Sequence, residues 1–111
     1  ENDFFMTCFH YVSRTRDEMQ DELGLVTVGE PFIESDRDTM AETIRQVDKP
    51  CLAFKILAAG RRCNSKGHVA KAFKYAFGNI KKTDAVIVGM FPRDQDEVKF
   101  NVDHAKKYGP V

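Results

Sequence analysis

An excess of charge of either sign is missing from this 111-residue chain, which has 17 lysine and arginine residues against 17 aspartate and glutamate residues. Without a cationic surplus or a basic block the chain has little to hold a polyanion, so nucleic acid and membrane surfaces are not expected as partners. No apolar run is long enough to cross a bilayer. The composition is that of one globular domain, or part of one, that can bury a core.

Cysteine is scarce as well. Cys8, Cys51 and Cys63 are odd in number, widely spaced and form no C-x-x-C pair, which argues against a disulfide framework and a structural zinc site. We therefore expect no bound metal and a cytoplasmic location, where thiols stay reduced. The first residues, Glu1-Asn2-Asp3, carry neither an initiator methionine nor the positive segment of a secretion signal. We expect the chain to be processed or cut from a longer protein.

Three apolar runs, at residues 4–11, 51–58 and 85–91, alternate with helical patterns, as is typical of βα units in a parallel sheet. The units span about residues 3–48, 50–82 and 84–109 of a single domain. We predict an α/β fold of three consecutive βα units, either the C-terminal part of a (β/α)8 (TIM) barrel or a small open sheet. A complete barrel needs about 200 residues or more. The barrel interpretation therefore requires a missing N-terminal portion, or a second copy of the chain, to cover the sheet edges.

Capping signals place four helices. An N-cap side chain accepts a hydrogen bond from the first helical turn, and a capping box adds an acidic residue three positions later. The residues that fit these roles are Thr15 with Glu18, Ser35, Asn64 or Ser65, and Asp94 with Glu97. Gly24 ends the first helix, and Gly109, free to adopt the left-handed conformation, ends the last.

The apolar spacing of the later helices predicts which side chains turn inward. They are Met40, Ile44 and Val47, then Val69, Ala72, Phe73, Ala76, Phe77 and Ile80, and finally Val98, Val102 and Ala105. Residues 25–33 stay ambiguous, because Val26 and Val28 alternate as in a strand whereas Gly29 and Pro31 break one.

Lys55 lies in the middle of the second apolar run and needs an explanation, because a buried unpaired charge is costly. Alternation along a strand puts Lys55 on the face of Cys51, and bulk assigns the opposite face, with Leu52 and Phe54, to the helices. Lys55 would then point into a barrel interior, where a desolvated amine serves as Schiff-base nucleophile or general base. The alternatives are an ion pair with a carboxylate from a neighbouring strand or a strand-end position with the ammonium in water.

The turns after the strands hold the other candidate site residues. His10 would lie where barrel enzymes place acids and bases, so it is a second catalytic candidate, with a packed structural histidine as the alternative. Gly60 and Arg61 follow the second run, and Gly89 and Arg93 follow the third. Small residues before a helix N-terminus commonly cradle a phosphate. The alternative is that the glycines only form turns and the arginines are exposed.

Two segments carry a resemblance to a known family. Residues 84–90, Asp-Ala-Val-Ile-Val-Gly-Met, and residues 97–102, Glu-Val-Lys-Phe-Asn-Val, resemble the end of the aldo-keto reductase family, in which a V-x-G-M-like strand end precedes a helix with a Q-V-E-E-N-like run. Residues 49–61 resemble the strand before it, so the likeness covers roughly residues 49–101. The lysine-bearing run and the V-G-M-F segment are also similar to uncharacterised bacterial aldolase-type barrel proteins.

The reductase resemblance implies that Asn101 contacts the adenine end of a nicotinamide cofactor, NADP, and that Arg93 lies in the phosphate-side turn. The family's catalytic residues come from earlier strands that this chain lacks. Lys55 does not match the family's lysine, and Glu97 and Phe100 replace its usual Gln and Glu. We expect this fragment alone to be inactive.

The sequence therefore favours the C-terminal portion of a barrel enzyme, an oxidoreductase or a lyase, that contributes a phosphate or nucleotide subsite for a small phosphorylated molecule. Two alternatives stay open. One is aldolase-type Schiff-base chemistry at Lys55, and the other is a non-catalytic α/β binding or assembly module.

Overall fold

The computed structural model, which describes residues 2–91 and 93–110, contains a three-stranded parallel sheet and four α-helices. The strands are β1 (Phe5–Cys8), β2 (Cys51–Phe54) and β3 (Ala85–Ile87), and the helices are α1 (Arg16–Leu23), α2 (Asp36–Gln46), α3 (Lys66–Asn79) and α4 (Glu97–Tyr108). The strands pair in the order β1-β2-β3. The predicted α/β class with parallel strands is confirmed, whereas membership of a barrel stays a prediction.

The core lies between the sheet and the helices α2, α3 and α4. Cys51 and Ala53 of β2 are completely buried in one cluster with Ile44 from α2 and Phe73 from α3. Phe100 from α4 packs against the same cluster. The inner faces predicted for the second and third helices are confirmed, because Ile44, Val69, Ala72, Phe73 and Ala76 are buried, and Met40, Val47, Phe77 and Ile80 pack partly buried against them.

The opposite face of the sheet is apolar and partly exposed. Since paired residues of parallel strands point to the same side, its side chains are Met6, Cys8, Leu52, Phe54, Ala85 and Ile87. The prediction that the bulkier face of β2 meets the helices is therefore wrong. The small side chains of Cys51 and Ala53 face the helices because Phe9 and Phe73, both fully buried, already fill that layer.

All three strands are shorter than the apolar runs that predicted them. The carboxyl parts of all three runs lie outside the sheet, yet Phe9, Ile56 and Leu57 in these segments are buried, as is Ala58 at the start of a short 3-10 helix (Ala58–Gly60). A hydrophobic run in a sequence indicates that its residues are buried, whatever their secondary structure. Here the buried residues lie both in the strands and in the segments that follow them. Residues 25–33 form neither a strand nor a helix.

A left-handed turn follows β2 and changes the expected position of Lys55. Lys55 itself has φ 59°, Ala58 and Ala59 both have φ 51°, and Gly60 has φ 91°. β2 therefore ends at Phe54, and Lys55 lies beyond the strand rather than within it. A non-glycine residue in the left-handed region costs about 1 to 2 kcal/mol, so this turn stores conformational strain at the carboxyl end of the central strand.

Two of the predicted N-caps are confirmed. Thr15 Oγ1 accepts from Glu18 N and the Glu18 carboxylate accepts from Thr15 N, which completes the capping box of α1. Ser65 Oγ accepts from the backbone N–H of His68 at 3.1 Å and begins α3. Gly24 ends α1 with φ 68°.

Two other caps differ from the prediction. Ser35 has helical dihedral angles and makes no side-chain cap, because it already lies within the first turn of backbone that leads into α2. α4 is capped by Asp96, which accepts from Lys99 N at 3.0 Å, and not by Asp94. Asp94 lies two residues too early for this helix, which begins at Glu97.

The buried face of α4 also differs from the predicted one. Val98 is 48% exposed and Val102 40% exposed, whereas Asn101 is buried. Of the three predicted residues, only Ala105 packs against the core, together with Phe100, which was not predicted. Residues 98 and 102 and residues 101 and 105 both have i, i+4 spacing and lie on adjacent faces, so periodicity predicted Ala105 correctly but could not show that Asn101 is more buried than Val98 and Val102.

Gly109 ends α4, but not in the predicted left-handed conformation. Its φ of −72° and ψ of 158° are extended. A side chain at this position would place Cβ 2.5 Å from the carbonyl oxygen of Ala105 and 3.4 Å from the ring of Phe77. Glycine is therefore required here for close approach and not for its dihedral freedom.

Asp84 joins the beginnings of β2 and β3. Its side chain is completely buried, and its carboxylate accepts from the backbone N–H of Cys51 at 2.8 Å, from that of Lys81 at 2.7 Å and from Lys81 Nζ at 3.0 Å. A buried carboxylate with three donors is stable, but removing it leaves those donors without an acceptor.

We expect Asp84→Ala to lower the free energy of unfolding by about 3 kcal/mol, because it removes one partner of a buried ion pair and leaves Lys81 uncompensated. Urea unfolding followed by circular dichroism measures the change. Asp103→Ala is the matched control, since Asp103 pairs with Lys99 on an exposed helix face and its removal should leave the unfolding midpoint unchanged. Equal midpoints for the two variants would contradict the anchoring role of Asp84.

We expect Ala59→Gly to raise the free energy of unfolding by about 1 kcal/mol, because glycine adopts the left-handed conformation without strain. Ala59 is exposed, so no packing is lost. Ala70→Gly in the interior of α3 is the control and should lower the free energy of unfolding by about 1 kcal/mol. A decrease in stability with Ala59→Gly would show that the turn is not strained in solution.

Candidate functional site

The carboxyl ends of the three strands meet at one edge of the sheet, and the loops that follow them enclose two cavities. One cavity, of about 540 Å³, is lined by residues that include Lys55, Gly60 and Gly89. The other, of about 500 Å³, is lined by residues that include His10. Phe54, the last residue of β2, lines both cavities.

A third cavity, of about 260 Å³, lies at the N-terminus of α3. Ser65 and Lys66 from the beginning of α3 and Asn101 from α4 line it. It shares Leu57 and Gly89 with the 540 Å³ cavity, so the two adjoin. Together they form a largely apolar space with a polar end at the N-terminus of a helix.

Asn101 is the unusual residue of this polar end. It is 5% exposed, and its side-chain amide forms no hydrogen bond with any residue of the described part of the chain. Its amide nitrogen and oxygen are not among the buried polar atoms that lack a partner, so the amide is accessible from the cavity, where water or a ligand can bond to it.

The N-terminus of α3 supplies hydrogen-bond donors to the same cavity. Ser65 Oγ accepts a hydrogen bond from the backbone N–H of His68. The backbone N–H groups of Lys66 and Gly67 have no acceptor within the helix, because they belong to its first turn. The peptide dipoles of the 14-residue helix add partial positive charge there. This arrangement can bind an anion.

Glu97 brings negative charge to the same region. Its Oε2 accepts from the backbone N–H of Phe91 at 2.6 Å, so the carboxylate is held against the loop after β3. Burial, and then the charge of Glu97, raise the pKa of the Cys63 thiol, which keeps that thiol protonated. Cys63 is therefore not activated as a nucleophile.

Lys55 lines the 540 Å³ cavity but is paired. Its Nζ lies 2.9 Å from both carboxylate oxygens of Glu30 and 5.6 Å from the ring of Phe32. The side chain is 26% exposed. The geometry matches the expected ion pair, except that the carboxylate comes from the loop between α1 and α2 and not from a neighbouring strand. Catalysis by Lys55 stays a prediction.

His10 is 2% exposed and has a defined tautomer. Its Nδ1 lies 3.2 Å from the carbonyl oxygen of Ile33, which can only accept, so Nδ1 carries the proton. Nε2 is then an acceptor, and it is buried with no partner among residues 2–91 and 93–110. Burial lowers the pKa of His10 below its usual value of 6.5, so the ring is neutral at pH 7. A catalytic role for His10 stays a prediction.

The residues predicted to cradle a phosphate are only partly brought together. Gly60 and Gly89 both line the 540 Å³ cavity, and Gly89 also lines the cavity that contains Asn101. The guanidinium of Arg61 lies instead 4.1 Å over the ring of Phe32. Arg93 is exposed and lies outside the lining of all three cavities. The phosphate-binding roles of these residues stay predictions.

Sequence reasoning missed a network of arginines at this edge. Arg14 pairs with Asp36, and Arg37 and Arg62 both reach Glu34. The only signal in the sequence is the pair Arg61-Arg62 after the second apolar run. Arg37 lies between two acidic residues at the start of a helix, a position typical of exposed side chains, yet it is buried.

Among residues 2–91 and 93–110, no helix has the length and apolarity needed to span a membrane. Within the same residues, no group of three or more His, Cys, Asp or Glu side chains is arranged to bind a metal ion.

Comparison of the chain with protein-family models, with curated proteins and with solved structures finds no match in any of the three. Function has therefore to be argued from the site itself.

Proposed function

We propose that this chain contributes a phosphate or nucleotide subsite to an enzyme of small-molecule metabolism, with the anionic group bound between the N-terminus of α3 and the side chain of Asn101. One observation carries the proposal: the side-chain amide of Asn101, which has no hydrogen-bond partner among the described residues, and the first turn of α3 line the same cavity. The amide NH2 group donates to an anion, as do the backbone N–H groups of the helix N-terminus.

The adjoining 540 Å³ cavity accommodates the organic part of the ligand. Its volume falls in the range of small-molecule and cofactor sites, which are mostly apolar with a few polar groups that fix orientation. Gly89 lies between the two cavities, and a Cβ there would meet no atom within 4 Å. Space at this position lets a ligand pass close to the backbone.

The position of the site also supports the proposal. In parallel α/β folds, ligands bind outside the carboxyl ends of the strands, in barrels and open sheets alike. The apolar sheet face that carries Leu52 and Phe54 would line the interior if these units belonged to a (β/α)8 barrel. The aldo-keto reductase resemblance of residues 84–102 favours the barrel and assigns Asn101 to a nucleotide.

We expect NADPH or inorganic phosphate to bind the chain saturably, and Asn101→Asp to weaken binding at least tenfold, because the variant replaces a donor by a negative charge of nearly the same shape. Isothermal titration calorimetry measures both ligands. Gln46→Glu makes the same amide-to-carboxylate change at an exposed position at the end of α2 and should leave affinity unchanged.

If NADPH binds with higher affinity than phosphate, the site is a nucleotide site. If the two ligands bind with equal affinity, it is a phosphate site. Absence of saturable binding by either ligand, or equal affinity in Asn101→Asp and Gln46→Glu, would contradict the proposal. Circular dichroism of each variant separates loss of binding from loss of fold.

Schiff-base chemistry at Lys55 is a second candidate, favoured by the left-handed φ of Lys55 at the carboxyl end of β2, since backbone strain concentrates at functional sites. Lys55 Nζ would attack a carbonyl carbon, water would leave, and borohydride would reduce the imine to a stable secondary amine.

We expect borohydride with a panel of small aldehydes and ketones to label Lys55 selectively, and Glu30→Gln to increase the labelling because it frees the amine from its ion pair. Peptide mass spectrometry locates the adduct. Lys55→Arg keeps the positive charge but lacks the nucleophile, and it is the matched control. Labelling no stronger at Lys55 than at the exposed Lys71 and Lys74 would eliminate this candidate.

A further inference from the structure

Two arginines from different elements converge on one carboxylate oxygen. Arg37 lies in the first turn of α2, and Arg62 follows the left-handed turn after β2. The Nη2 atoms of Arg37 and Arg62 lie 2.7 Å and 3.3 Å from Glu34 Oε1. The Nε atoms of both arginines are buried and have no acceptor in the described part of the chain.

This cluster has more donors and more positive charge than its acceptor can satisfy. Each guanidinium has five N–H donors and a full positive charge, while Glu34 supplies a single negative charge. The arginine side chains are only 11% and 24% exposed, and the ring of Tyr75 lies 4.1 Å beneath the guanidinium of Arg37. Since buried guanidinium groups are costly without acceptors, the cluster is suited to an anion of higher charge.

His10 lies close to the same cluster. Its Nδ1 is held by the carbonyl of Ile33, the residue before Glu34. After the larger effect of burial, the charges of Arg62 and Arg37 lower the pKa of His10, and the charge of Asp36 raises it. Nε2 of His10 is unpartnered within the described residues, as are the two arginine Nε atoms. Three buried polar atoms, from three segments that contact residues 33 and 34, therefore have no partner among the described residues.

We propose that Arg37, Arg62 and His10 form a second site, for a tetrahedral dianion such as a phosphomonoester or sulfate, and that the Glu34 carboxylate occupies this site until the dianion displaces it. A dianion matches two guanidinium groups in charge, and its three or more oxygens match the vacant donors better than one carboxylate oxygen does. Glu34 is suited to leaving, because its side chain is 74% exposed.

Binding at this site is coupled to protonation of His10. A bound dianion offsets the charges of Arg37 and Arg62, so the pKa of His10 rises and Nε2 takes up a proton that it donates to the anion. Ile33 and Asp36, the other groups near the ring, favour the same change. Proton uptake on binding means that affinity increases as the pH falls from 7.5 to 6.

The site shares no residue with the cavity of Asn101, so the two proposals can fail independently. All measurements are therefore made in the Asn101→Asp background, in which the first site is disabled. Sulfate is the probe, because it stays a dianion across this pH range and contributes no titration of its own. Calorimetry gives the affinity, and the NMR titration of the His10 imidazole reports on this site alone.

We expect Glu34→Gln to strengthen sulfate binding at least fivefold, because it removes the competing carboxylate. Glu42→Gln makes the same change on the exposed side of α2 and should have no effect. Arg62→Gln should weaken binding at least tenfold. In the Glu34→Gln protein, saturating sulfate should raise the pKa of His10 by at least half a unit.

A gain of affinity does not arise from misfolding, so the Glu34→Gln variant tests the proposal even if Arg62→Gln is unstable. Sulfate affinity that is equal in Glu34→Gln and Glu42→Gln would overturn the displacement of Glu34. A His10 titration that sulfate leaves unchanged would overturn the site itself.

Discussion

The guanidinium of Arg14 is the interaction on which the carboxyl edge of the sheet depends, because it connects the segment after β1 to both α1 and α2. Its Nη1 and Nη2 lie 2.6 Å and 2.7 Å from the two oxygens of Asp36, and its Nε lies 2.7 Å from Glu22. Asp36 also accepts from the backbone N–H of Tyr11. Burial opposes the charge on Asp36, yet the hydrogen bonds from Arg14 and Tyr11 lower the pKa of its carboxyl group. This pair fixes where α2 begins, and so fixes Glu34 and Arg37 beside His10.

Arg14 is an arginine whose hydrogen bonds are all made within the fold, as expected of a structural residue. All its nitrogens have acceptors, including the carbonyl oxygen of Tyr11 at 2.9 Å from Nη1. Arg37 and Arg62 share one carboxylate and leave Nε atoms unsatisfied within the described residues. The same edge thus contains one arginine that completes its bonding within the fold and two that do not. This difference, together with the Asn101 amide, which has no partner among residues 2–91 and 93–110, is the basis of our proposal that ligands bind at this edge.

The sequence predicts the parallel α/β class and most helix boundaries, because Thr15, Gly24 and Ser65 act through local hydrogen bonds and local dihedral angles. It does not predict which face of β2 meets the helices, since that depends on how much volume Phe9 and Phe73 fill from elsewhere in the chain. For the candidate site, the sequence correctly placed Gly60 and Gly89 in the segments after strands, but it placed Lys55 within β2, whereas the left-handed turn puts Lys55 beyond the end of that strand. The convergence of Arg37 and Arg62 on Glu34 joins segments without any shared local pattern, so only the folded structure shows it.

The parallel register of the sheet has a consequence for how the chain folds. Phe5 pairs with Cys51, and Leu52 pairs with Ala85, so each strand pairing closes a long loop that contains at least one helix. Contacts between residues so distant in sequence carry a large loop-closure entropy before they return any stabilisation. β2 pairs with β1 on one side and with β3 on the other. Both loops therefore close through the four residues from Cys51 to Phe54. Folding is therefore expected to be slow for a chain of this length and to be governed by the docking of β2.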